Sequence, residues 1–395
     1  GGTMCPSYMA TRKEKHTTRA RANILREVLS DQSIQNPFQN QEIKEVMDLC
    51  LSCKGCKTEC PSNVDIAKLK AEYTHQNYLE NGAPFRAKLF ANFTALNKRA
   101  ALAPNLHNYF INNALTSGIV KKLMGVASKR SLPLLQNTTL LKWYLNNPQE
   151  GNFENGKIHL FNDEFTNYHD AHIGIRCIKL LNKLGYKVVI PKHVESGRAF
   201  ISQGFLSEAK NLANKNVQLL APVISEAQAL IGLEPSAILT LRDEYLDLVE
   251  DQKSAKHLAK HSFTIEEFLA KEIKADRIKA SSFTEKSEHI RLHGHCHQKA
   301  NSSLVPSKIA LELPKNFKVQ LIPSGCCGMA GSFGYEKEHY DVSMKIGELV
   351  LFPSIRKEPE SSIICAPGTS CRHQIKDGTK RLAQHPVEIL YNALL

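Results

Sequence analysis

The sequence lacks any long run of apolar residues. No stretch approaches about 18 uncharged apolar residues, the shortest length that reads as a membrane-spanning helix, and even Val217–Leu233 carries Glu226 in its middle. No secretory leader is recognisable, so we expect a reducing compartment and a cytoplasmic location. In such a compartment the eleven cysteines indicate metal binding or redox chemistry rather than disulfides.

Basic runs interleaved with aromatic residues are also lacking, so we expect no nucleic-acid partner. The net charge is nevertheless +12, from 51 Lys and Arg against 39 Asp and Glu. An excess spread along the chain is typical of a solvated surface, and peripheral attraction to the anionic inner face of the cell membrane is the alternative. The 395 residues suffice for two or three domains with buried cores.

Four cysteines stand in one short run with the spacing C-x2-C-x2-C-x3-C: Cys50, Cys53, Cys56 and Cys60, followed directly by Pro61. Bacterial ferredoxins hold [4Fe–4S] clusters with this spacing. The first three thiolates can converge on one cubane cluster, whereas the fourth usually ligates a second cluster. A zinc site would need two separated C-x2-C pairs, and the sequence offers no partner pair. The run therefore predicts electron transfer through iron–sulfur chemistry.

The chain opens with Gly1-Gly2-Thr3-Met4-Cys5-Pro6, and its Cys5-Pro6 pair repeats the ending of the main motif. A chain that starts just before a lone Cys-Pro is best interpreted as having lost the upstream cysteines of a first motif. We therefore expect a fragment of a longer protein.

Helical patterns surround the cysteine run. We predict that residues 1–82 form one helical domain. The predicted helices are Thr17–Ser30, Gln41–Leu51 and Val64–Tyr78. Ser62 or Asn63 is the candidate N-cap of the third helix. Residues 83–155 continue mostly helical without a reactive constellation, and we predict a structural linker.

The remainder repeats one strand–helix pattern, in residues 156–275 and again in residues 276–395. The predicted strands are Lys157–Phe161, Lys187–Ile190 and Ser236–Leu241 in the first copy, and His289–His293, Lys318–Ile322 and Ser361–Ala366 in the second. Alternating strands and helices predict parallel sheets. We therefore expect two copies of one α/β unit, related by a pseudo-twofold axis.

Cysteines lie at the carboxyl end of every predicted strand of the second copy: Cys296 after the first, Cys326 and Cys327 after the second, and Cys365 and Cys371 around the third. Ligands of open α/β sheets bind at the carboxyl ends of the strands, so we expect these thiols to meet in a metal or cluster site. Cys365 is equally well explained as an inert buried thiol. The alternating histidines His293, His295 and His297 are candidates for one further ligand, of which we favour His295, and a hydrogen-bonding role is an equal alternative.

The first copy offers no thiol at the matching positions, which read Asp163-Glu164, Glu195-Ser196-Gly197 and Ala237. Its one cysteine, Cys177, lies in a helical apolar pattern and is predicted to be a core residue. This copy is expected to keep the fold without a cluster.

Together these features resemble the iron–sulfur oxidoreductase part of FAD-linked oxidases. The resemblance rests on the run from Cys50 to Pro61, the two tandem α/β units and the segment Cys-Cys-Gly-Met-Ala-Gly-Ser-Phe-Gly at 326–334. Members of this family include D-lactate and D-2-hydroxyglutarate dehydrogenases and the glycolate oxidase iron–sulfur subunit. The resemblance implies an α + α/β fold, in which a helical ferredoxin-like domain precedes two Rossmann-like CCG units.

The resemblance also implies ligands in the first motif. Cys50, Cys53 and Cys56 match three ligands of one [4Fe–4S] cluster, with Cys5 as the distant fourth. Cys60 matches a ligand of another cluster whose remaining ligands this chain lacks, so we predict one cubane cluster at most in this motif.

In the second α/β copy, Cys296, Cys326, Cys327 and Cys371 match the cluster or redox residues of the CCG motif. The family's closing C-x2-C reads Gly368-Thr-Ser-Cys371 here, with Cys365 displaced to C-x5-C spacing. A complete second cluster, a smaller metal site and a thiol pair therefore all stay open.

The implied function is electron transfer from FAD, held by an upstream flavin-binding domain or a separate subunit, toward a quinone or another carrier. The flavin would oxidise a 2-hydroxy acid of the D-lactate, glycolate or D-2-hydroxyglutarate type, and no acid or base catalyst is assigned here. One alternative is a heterodisulfide-reductase-like enzyme in which Cys326, Cys327 and His295 act on a disulfide or quinone. Another is a non-catalytic metal-binding interaction module.

Overall fold

The structure is a computed structural model that describes residues 4–395. Residues Gly1–Thr3 lie outside the described residues; they are part of the N-terminal segment from which we predicted a fragment of a longer protein. Within residues 4–395, every helix is too short or too polar to cross a membrane.

The N-terminal region is helical, as predicted, with α1 (Pro6–Thr11), α2 (Thr18–Ser30), α3 (Gln41–Asp48), α4 (Gly55–Glu59) and α5 (Ile66–Asn81). The predicted cap of α5 was wrong. Asp65 caps this helix, because its carboxylate accepts the backbone N–H groups of Ala67 and Lys68. Asn63 instead adopts a left-handed backbone conformation (φ 55°) in the preceding turn.

A small apolar core holds the N-terminal helices together. Leu25 of α2, Ile43 of α3 and Ile66 of α5 pack in it, and the thiols of Cys50 and Cys56 belong to the same cluster. The cysteine motif is therefore built into this core rather than attached to its surface.

The next segment is also helical, with α6 (Phe85–Ala91), α7 (Phe93–Ala100), α8 (Pro104–Asn112), α9 (Ala114–Met124) and α10 (Leu140–Asn146). Arg130, which follows α9, is fully buried. Its guanidinium donates to the Gly334 carbonyl (2.9 Å) and the Gln374 side chain (2.8 Å), and pairs with Asp377 (3.1 Å). The segment is thus anchored to the C-terminal part of the chain.

The first α/β unit contains a four-stranded parallel sheet in the order β2-β1-β3-β4. Its strands are β1 (Lys157–Leu160), β2 (Lys187–Val189), β3 (Leu230–Gly232) and β4 (Ser262–Thr264). Its helices are α11 (Glu164–Tyr168), α12 (Ala171–Lys183), α13 (Arg198–Ser202), α14 (Leu206–Leu220), α15 (Pro235–Ile238), α16 (Tyr245–Leu248), α17 (Gln252–Lys260) and α18 (Ile265–Lys274).

The second unit has the equivalent strand order, β6-β5-β7-β8, again all parallel. Its strands are β5 (Glu288–Leu292), β6 (Phe317–Leu321), β7 (Ile363–Cys365) and β8 (Ala383–Gln384). Its helices are α19 (Cys296–Asn301), α20 (Val305–Leu311), α21 (Tyr340–Leu349), α22 (Leu351–Arg356), α23 (Thr369–Thr379) and α24 (Pro386–Asn392). The predicted parallel α/β architecture is confirmed.

One predicted strand was wrong: Ser236–Leu241 is helical, and the third strand of the first unit is β3, slightly upstream. Pro235 occupies the first turn of α15, where its missing N–H costs nothing, and the Glu234 carboxylate accepts the Ser236 N–H. These two residues start a helix where the repeated strand–helix pattern had suggested a strand. The short fourth strands β4 and β8 were not predicted.

The two sheets share one apolar core. Ile158 and Leu160 of β1 and Ile290 and Leu292 of β5 belong to the same cluster of buried side chains. The helices between the sheets pack reciprocally, α12 against α24 and α18 against α20. The carboxyl ends of β3 and β7 also meet, because Glu234 Oε2 accepts the Thr369 N–H at 2.8 Å.

Candidate iron–sulfur and thiol sites

The first thiol site lies where α3 ends and α4 begins. Cys50 follows α3, Cys53 lies in the connecting loop and Cys56 in α4. Ser52 and Lys54 both have positive φ angles (51° and 60°), and these left-handed residues bend the loop sharply on either side of Cys53. Such a tight turn is what places neighbouring thiols of a C-x2-C spacing on one side of the chain.

In addition to burial, the thiols of this site raise the pKa of Cys53 and Cys56, because a negative charge on one sulfur disfavours a negative charge on the next. Burial and the Cys296 thiol raise the pKa of Cys53, and Cys50 and Cys56 add to the rise. Burial also raises the pKa of Cys56, whose sulfur accepts the Ile66 backbone N–H at 3.4 Å. Buried thiols that repel each other's charge, with a backbone donor aimed at a sulfur, fit the ligand sphere of a metal cluster.

Cys5 stands immediately before α1 with φ 51°. Its sulfur lies 2.7 Å from the hydroxyl of Thr18 and 3.6 Å from the Arg21 guanidinium. Arg21 also donates to the Val46 carbonyl, one turn before Cys50. The structure thus places Cys5 beside α2 and links it through one arginine to the helix that leads into the motif.

Cys60 ends α4 in a different environment. The backbone N–H groups of Val64, Ser62 and Asn63 bond its sulfur and lower its pKa, because they favour the thiolate. The groups that act on Cys60 are backbone amides, whereas those that act on Cys53 are mainly other thiols. This difference agrees with the separate role that the motif assigns to its fourth cysteine.

The second thiol site lies at the carboxyl ends of β5, β6 and β7, as predicted for ligands of a parallel sheet. His293 follows β5, Cys327 follows β6 and Cys371 lies in the first turn of α23 after β7. One ligand atom from each of these three buried residues lies within 4.8 Å of the other two. Residues distant in sequence therefore form a compact, metal-sized group.

Cys296 and Cys326 extend this group. The side chain of Cys326 is hydrogen-bonded to both Cys296 and Cys327, and these contacts raise its pKa. Hydrogen bonds from Cys326 and Cys371, together with His293, lower the pKa of Cys327 well below that of a free thiol. The site therefore favours negative charge on one sulfur, as a cation-binding thiolate requires.

His293 presents an unused nitrogen to this site. Its Nδ1 lies 2.7 Å from the Ser324 hydroxyl, and its buried Nε2 makes no hydrogen bond of good geometry among the described residues, although the ring lies close enough to Cys327 to act on that thiol. A buried polar atom without a partner is costly unless something binds it. Sequence reasoning favoured His295, whose Nδ1 instead accepts the His297 N–H and whose Nε2 lies 3.7 Å from Glu234.

Two glycines hold the backbone close around the thiols. Gly328 has φ 93°, and a Cβ there would lie 2.3 Å from the Ser343 carbonyl oxygen. At Gly368 a Cβ would lie 2.4 Å from a ring carbon of His295 and 3.4 Å from the Cys371 sulfur. Any larger residue at either position would displace the walls of the site.

Cys365 does not join this group. Its fully buried side chain belongs to the apolar core shared by the two sheets, together with Cys177. Burial raises the pKa of both thiols, as expected for inert core cysteines. In the described residues the thiols at the sheet edge are thus Cys296, Cys326, Cys327 and Cys371.

The two thiol sites adjoin. The loop residue Cys53, itself half-buried, packs against a buried cluster that contains Cys296 and Cys326. Helix α4 lies against α19, where the Thr58 hydroxyl donates to the Ala300 carbonyl at 3.3 Å, and His297 Nε2 lies 3.2 Å from the Ser52 carbonyl. The cysteine run is therefore in direct contact with the second unit.

Buried ion pairs, which sequence reasoning missed, hold the loop of the cysteine run in position. The Lys54 side chain is only 1% exposed, and its ammonium lies 2.9 Å from Asp65, 2.8 Å from Asp243 and 3.2 Å from Glu244. Burial opposes the charge on Lys54, but these three carboxylates outweigh burial and raise its pKa. A lysine inside a C-x2-C loop is an ambiguous signal, since exposed lysines are common in such loops.

The matching edge of the first unit carries carboxyl groups in place of thiols. Glu164 accepts hydrogen bonds from the backbone and side chain of Ser196, and the Asp163 carboxylate caps α11. Burial raises the pKa of both acids. Glu234 of this unit reaches across to the second unit and forms part of the wall beside His295.

Comparisons with known proteins point to iron–sulfur chemistry. Residues 2–65 match the model of a 4Fe-4S dicluster domain. The chain is 26% identical to a D-2-hydroxyglutarate dehydrogenase from Escherichia coli strain K12, over 98% of this chain and 41% of that protein. It is also 26% identical to one subunit of the anaerobic glycerol-3-phosphate dehydrogenase of that strain, over 72% of each chain. A probable glycolate oxidase iron-sulfur subunit from Bacillus subtilis is 22% identical, over 95% of this chain and 86% of the relative.

The chain spans about two-fifths of the length of the D-2-hydroxyglutarate dehydrogenases that it matches. The resemblance to an iron–sulfur oxidoreductase part is confirmed by these matches, which include separate subunits of similar extent.

Proposed function

We propose that this chain is the iron–sulfur electron-transfer part of a flavin-linked 2-hydroxy-acid dehydrogenase. The observation that carries the proposal is the direct contact between the Cys53 loop and the thiols at the edge of the second sheet. Electron hopping between redox centres requires short separations through protein, and this contact supplies one. The similarity to iron–sulfur subunits of dehydrogenases supports the same role.

Cys5, Cys50, Cys53 and Cys56 would hold one [4Fe–4S] cluster, and Cys60 would ligate another. Cys296, Cys326, Cys327, Cys371 and His293 would hold a further metal or cluster, beside the one held by Cys50, Cys53 and Cys56. When bound, the clusters would accept and release single electrons. The chain itself supplies the thiolates, the backbone donors that stabilise charge on sulfur, and the burial that sets the potential.

The partners follow from this role. FAD would lie in a separate domain or subunit that oxidises a D-lactate, glycolate or D-2-hydroxyglutarate type of substrate. The acceptor would be a quinone or another carrier, reached from the cytoplasm or from a peripheral position on the inner membrane face. The two α/β units would be copies related by a pseudo-twofold axis, which the reciprocal packing of α12 on α24 and α18 on α20 supports.

A thiol enzyme acting on an external disulfide fits the geometry less well. Cys326 and Cys327 are only 4% and 2% exposed, so a disulfide substrate could not reach either sulfur without rearrangement. The grouping of His293 with Cys327 and Cys371, whose ligand atoms lie within 4.8 Å of one another, favours a bound metal instead.

Metal analysis of the anaerobically purified chain tests the proposal. We expect at least about four irons with matching sulfide per chain, and reduced samples should give the electron paramagnetic resonance signal of a cluster. Cys53→Ser should remove the iron of the first site, and Cys327→Ser only that of the second. The core variant Cys177→Ala is the control and should keep all iron. One zinc per chain without sulfide would refute the proposal.

A further inference from the structure

Helices α8 and α9 present apolar side chains to the outside. On α9 the exposed residues Leu115, Ile119 and Leu123 recur every four positions, and they are 81%, 62% and 77% exposed. Leu102, which precedes α8, and Leu106, Tyr109 and Phe110 of α8 are also exposed, and they recur every three or four positions. Side chains that recur at this spacing share one face of a helix.

Polar side chains lie on the inward side of the pair formed by α8 and α9, which are joined at Asn113. Ser117 of α9 is buried, and Asn108 of α8 exchanges two hydrogen bonds with the backbone of Leu135, at 2.8 and 2.9 Å. A surface helix of a water-soluble domain has the opposite arrangement, with its apolar stripe inward. The inward positions are thus shared between polar residues and the half-buried Ile111, Val120 and Met124, whereas the outward face is strongly apolar.

The charge of this segment is as unusual as its apolar face. Residues 81–149 contain no Asp or Glu, but nine basic residues: Arg86, Lys88, Lys98, Arg99, Lys121, Lys122, Lys129, Arg130 and Lys142. Most of the chain's +12 net charge is thus concentrated here, contrary to the even spread expected from the sequence. Among the described residues, only Arg86 and Arg130 of these nine form ion pairs.

We propose that the α8–α9 face, meaning Leu102, Leu106, Tyr109, Phe110, Leu115, Ile119 and Leu123 with the surrounding Lys and Arg side chains, docks on an anionic lipid bilayer. Amphipathic helices that lie in the headgroup region combine an apolar face with Lys and Arg near it. The acid-free segment is complementary to negatively charged lipid over its whole length. Residues 81–149 also contain no acidic side chain that an anionic bilayer would repel.

Docking at this face would fix the position of the second thiol site relative to the bilayer. The reason is that the segment after α9 is hydrogen-bonded to the second α/β unit. The Ala127 N–H donates to the Tyr335 carbonyl, and Arg130 bonds Gln374, whose side chain donates to the Cys327 carbonyl. A bilayer held by α8 and α9 would therefore be rigidly connected to the second thiol site. This connection rests on the proposed function, in which a lipid-soluble quinone is one acceptor.

Vesicle flotation with the full, cluster-loaded chain tests the proposal. We expect binding to vesicles that contain phosphatidylglycerol, and at least about tenfold weaker binding to pure phosphatidylcholine vesicles. The variant L115Q/I119Q/L123Q should bind the anionic vesicles at least about tenfold more weakly than wild type. The matched control L29Q/V305Q/L382Q removes three comparably exposed apolar residues elsewhere and should bind as wild type does.

Charge is tested separately. The variant K98E/R99E/K122E/K129E should lose binding, whereas K253E/K256E/K274E/K318E, with the same change of net charge at exposed sites outside the segment, should retain most of it. Raising the salt concentration should weaken wild-type binding, because exposed charges are screened.

Three results would overturn the proposal: no binding to anionic vesicles, equal binding to neutral and anionic vesicles, or equal losses in the variants and their controls. Iron and sulfide content measured on the same samples separates the two proposals. Absent vesicle binding with intact clusters would refute the lipid surface alone, whereas normal vesicle binding without iron would refute the electron-transfer role alone.

Discussion

Gly328 shows how much of the second site depends on one missing side chain. Because a Cβ at this position would lie 2.3 Å from the Ser343 carbonyl, Gly328→Ala should force the Cys326–Cys327 loop away from α21. We expect a loss of stability of roughly 2–4 kcal/mol, from the clash and the left-handed backbone together. Thermal denaturation and iron analysis measure the two effects.

Gly331→Ala is the matched control for this prediction. Gly331 also has a positive φ (61°), but a Cβ there would have no neighbour within 4 Å. It should cost only about 1 kcal/mol, the backbone contribution alone. Equal losses in the two variants would show that the approach to Ser343 is not tight in solution.

His339 makes the attachment of the N-terminal region sensitive to pH. Its Nε2 lies 2.9 Å from Asp48 of α3 and its Nδ1 lies 2.9 Å from Glu336, which in turn pairs with Arg86. Burial opposes the charge on the imidazole, but the two carboxylates prevail and raise the pKa of His339 from 6.5 to about 9.

A raised histidine pKa stabilises the folded state fully below the unfolded value of 6.5, and the effect disappears as the pH rises through about 9. After allowance for the half-exposed Asp48, we expect roughly 1–2 kcal/mol of stability to be lost across this range. Limited proteolysis near α3 between these pH values measures it. His339→Gln should be less stable at neutral pH and should show a flat profile; a wild-type profile that is already flat would contradict the assignment.

At the scale of elements, helix α4 and its loop are held by buried charge. Lys54→Met leaves Asp65, Asp243 and Glu244 without their shared cation, and breaking a buried ion pair from one side costs roughly 3–5 kcal/mol. We expect a lower urea midpoint and faster loss of iron from the first site.

Lys68→Met provides the comparison, since Lys68 contacts the same Asp243 but is 32% exposed. Solvent competes for its charge, so the loss should be about 1 kcal/mol or less. If both variants lost the same stability, burial of Lys54 would not be what holds the loop.

The elements also show what the sequence can and cannot predict. The cysteine run and the repeated strands were predictable, because ligand spacing and apolar alternation are local patterns. The attachment of the motif was not, since Lys57 and its partner Asp243 lie 186 residues apart. Likewise His293 was passed over for His295, because only the fold decides which ring nitrogen lacks a partner.

At the scale of the whole molecule, the two parts differ in how much apolar core they possess. The N-terminal core consists of a few side chains around Cys50 and Cys56, while the core between the sheets extends across both α/β units. A small domain with little core depends on its metal for stability.

We therefore expect hydrogen exchange to separate the two parts after cluster removal. Amides of α3 to α5 should lose most of their protection in the metal-free chain, whereas those of β1, β3, β5 and β7 should keep theirs. The cluster-loaded chain is the reference. Uniform loss of protection throughout would show instead that the molecule unfolds as a single cooperative unit.

The contact of Glu234 with Thr369 gives the first α/β unit, which has no thiol at this edge of its sheet, a part in the second thiol site. Two further contacts cross at the same edge: Asp170 pairs with Arg372, and His385 Nε2 lies 3.2 Å from the Leu233 carbonyl. The first unit therefore forms one wall of the second thiol site. A shortened chain starting near residue 276 would keep every cysteine of that site and still leave the site open on one side.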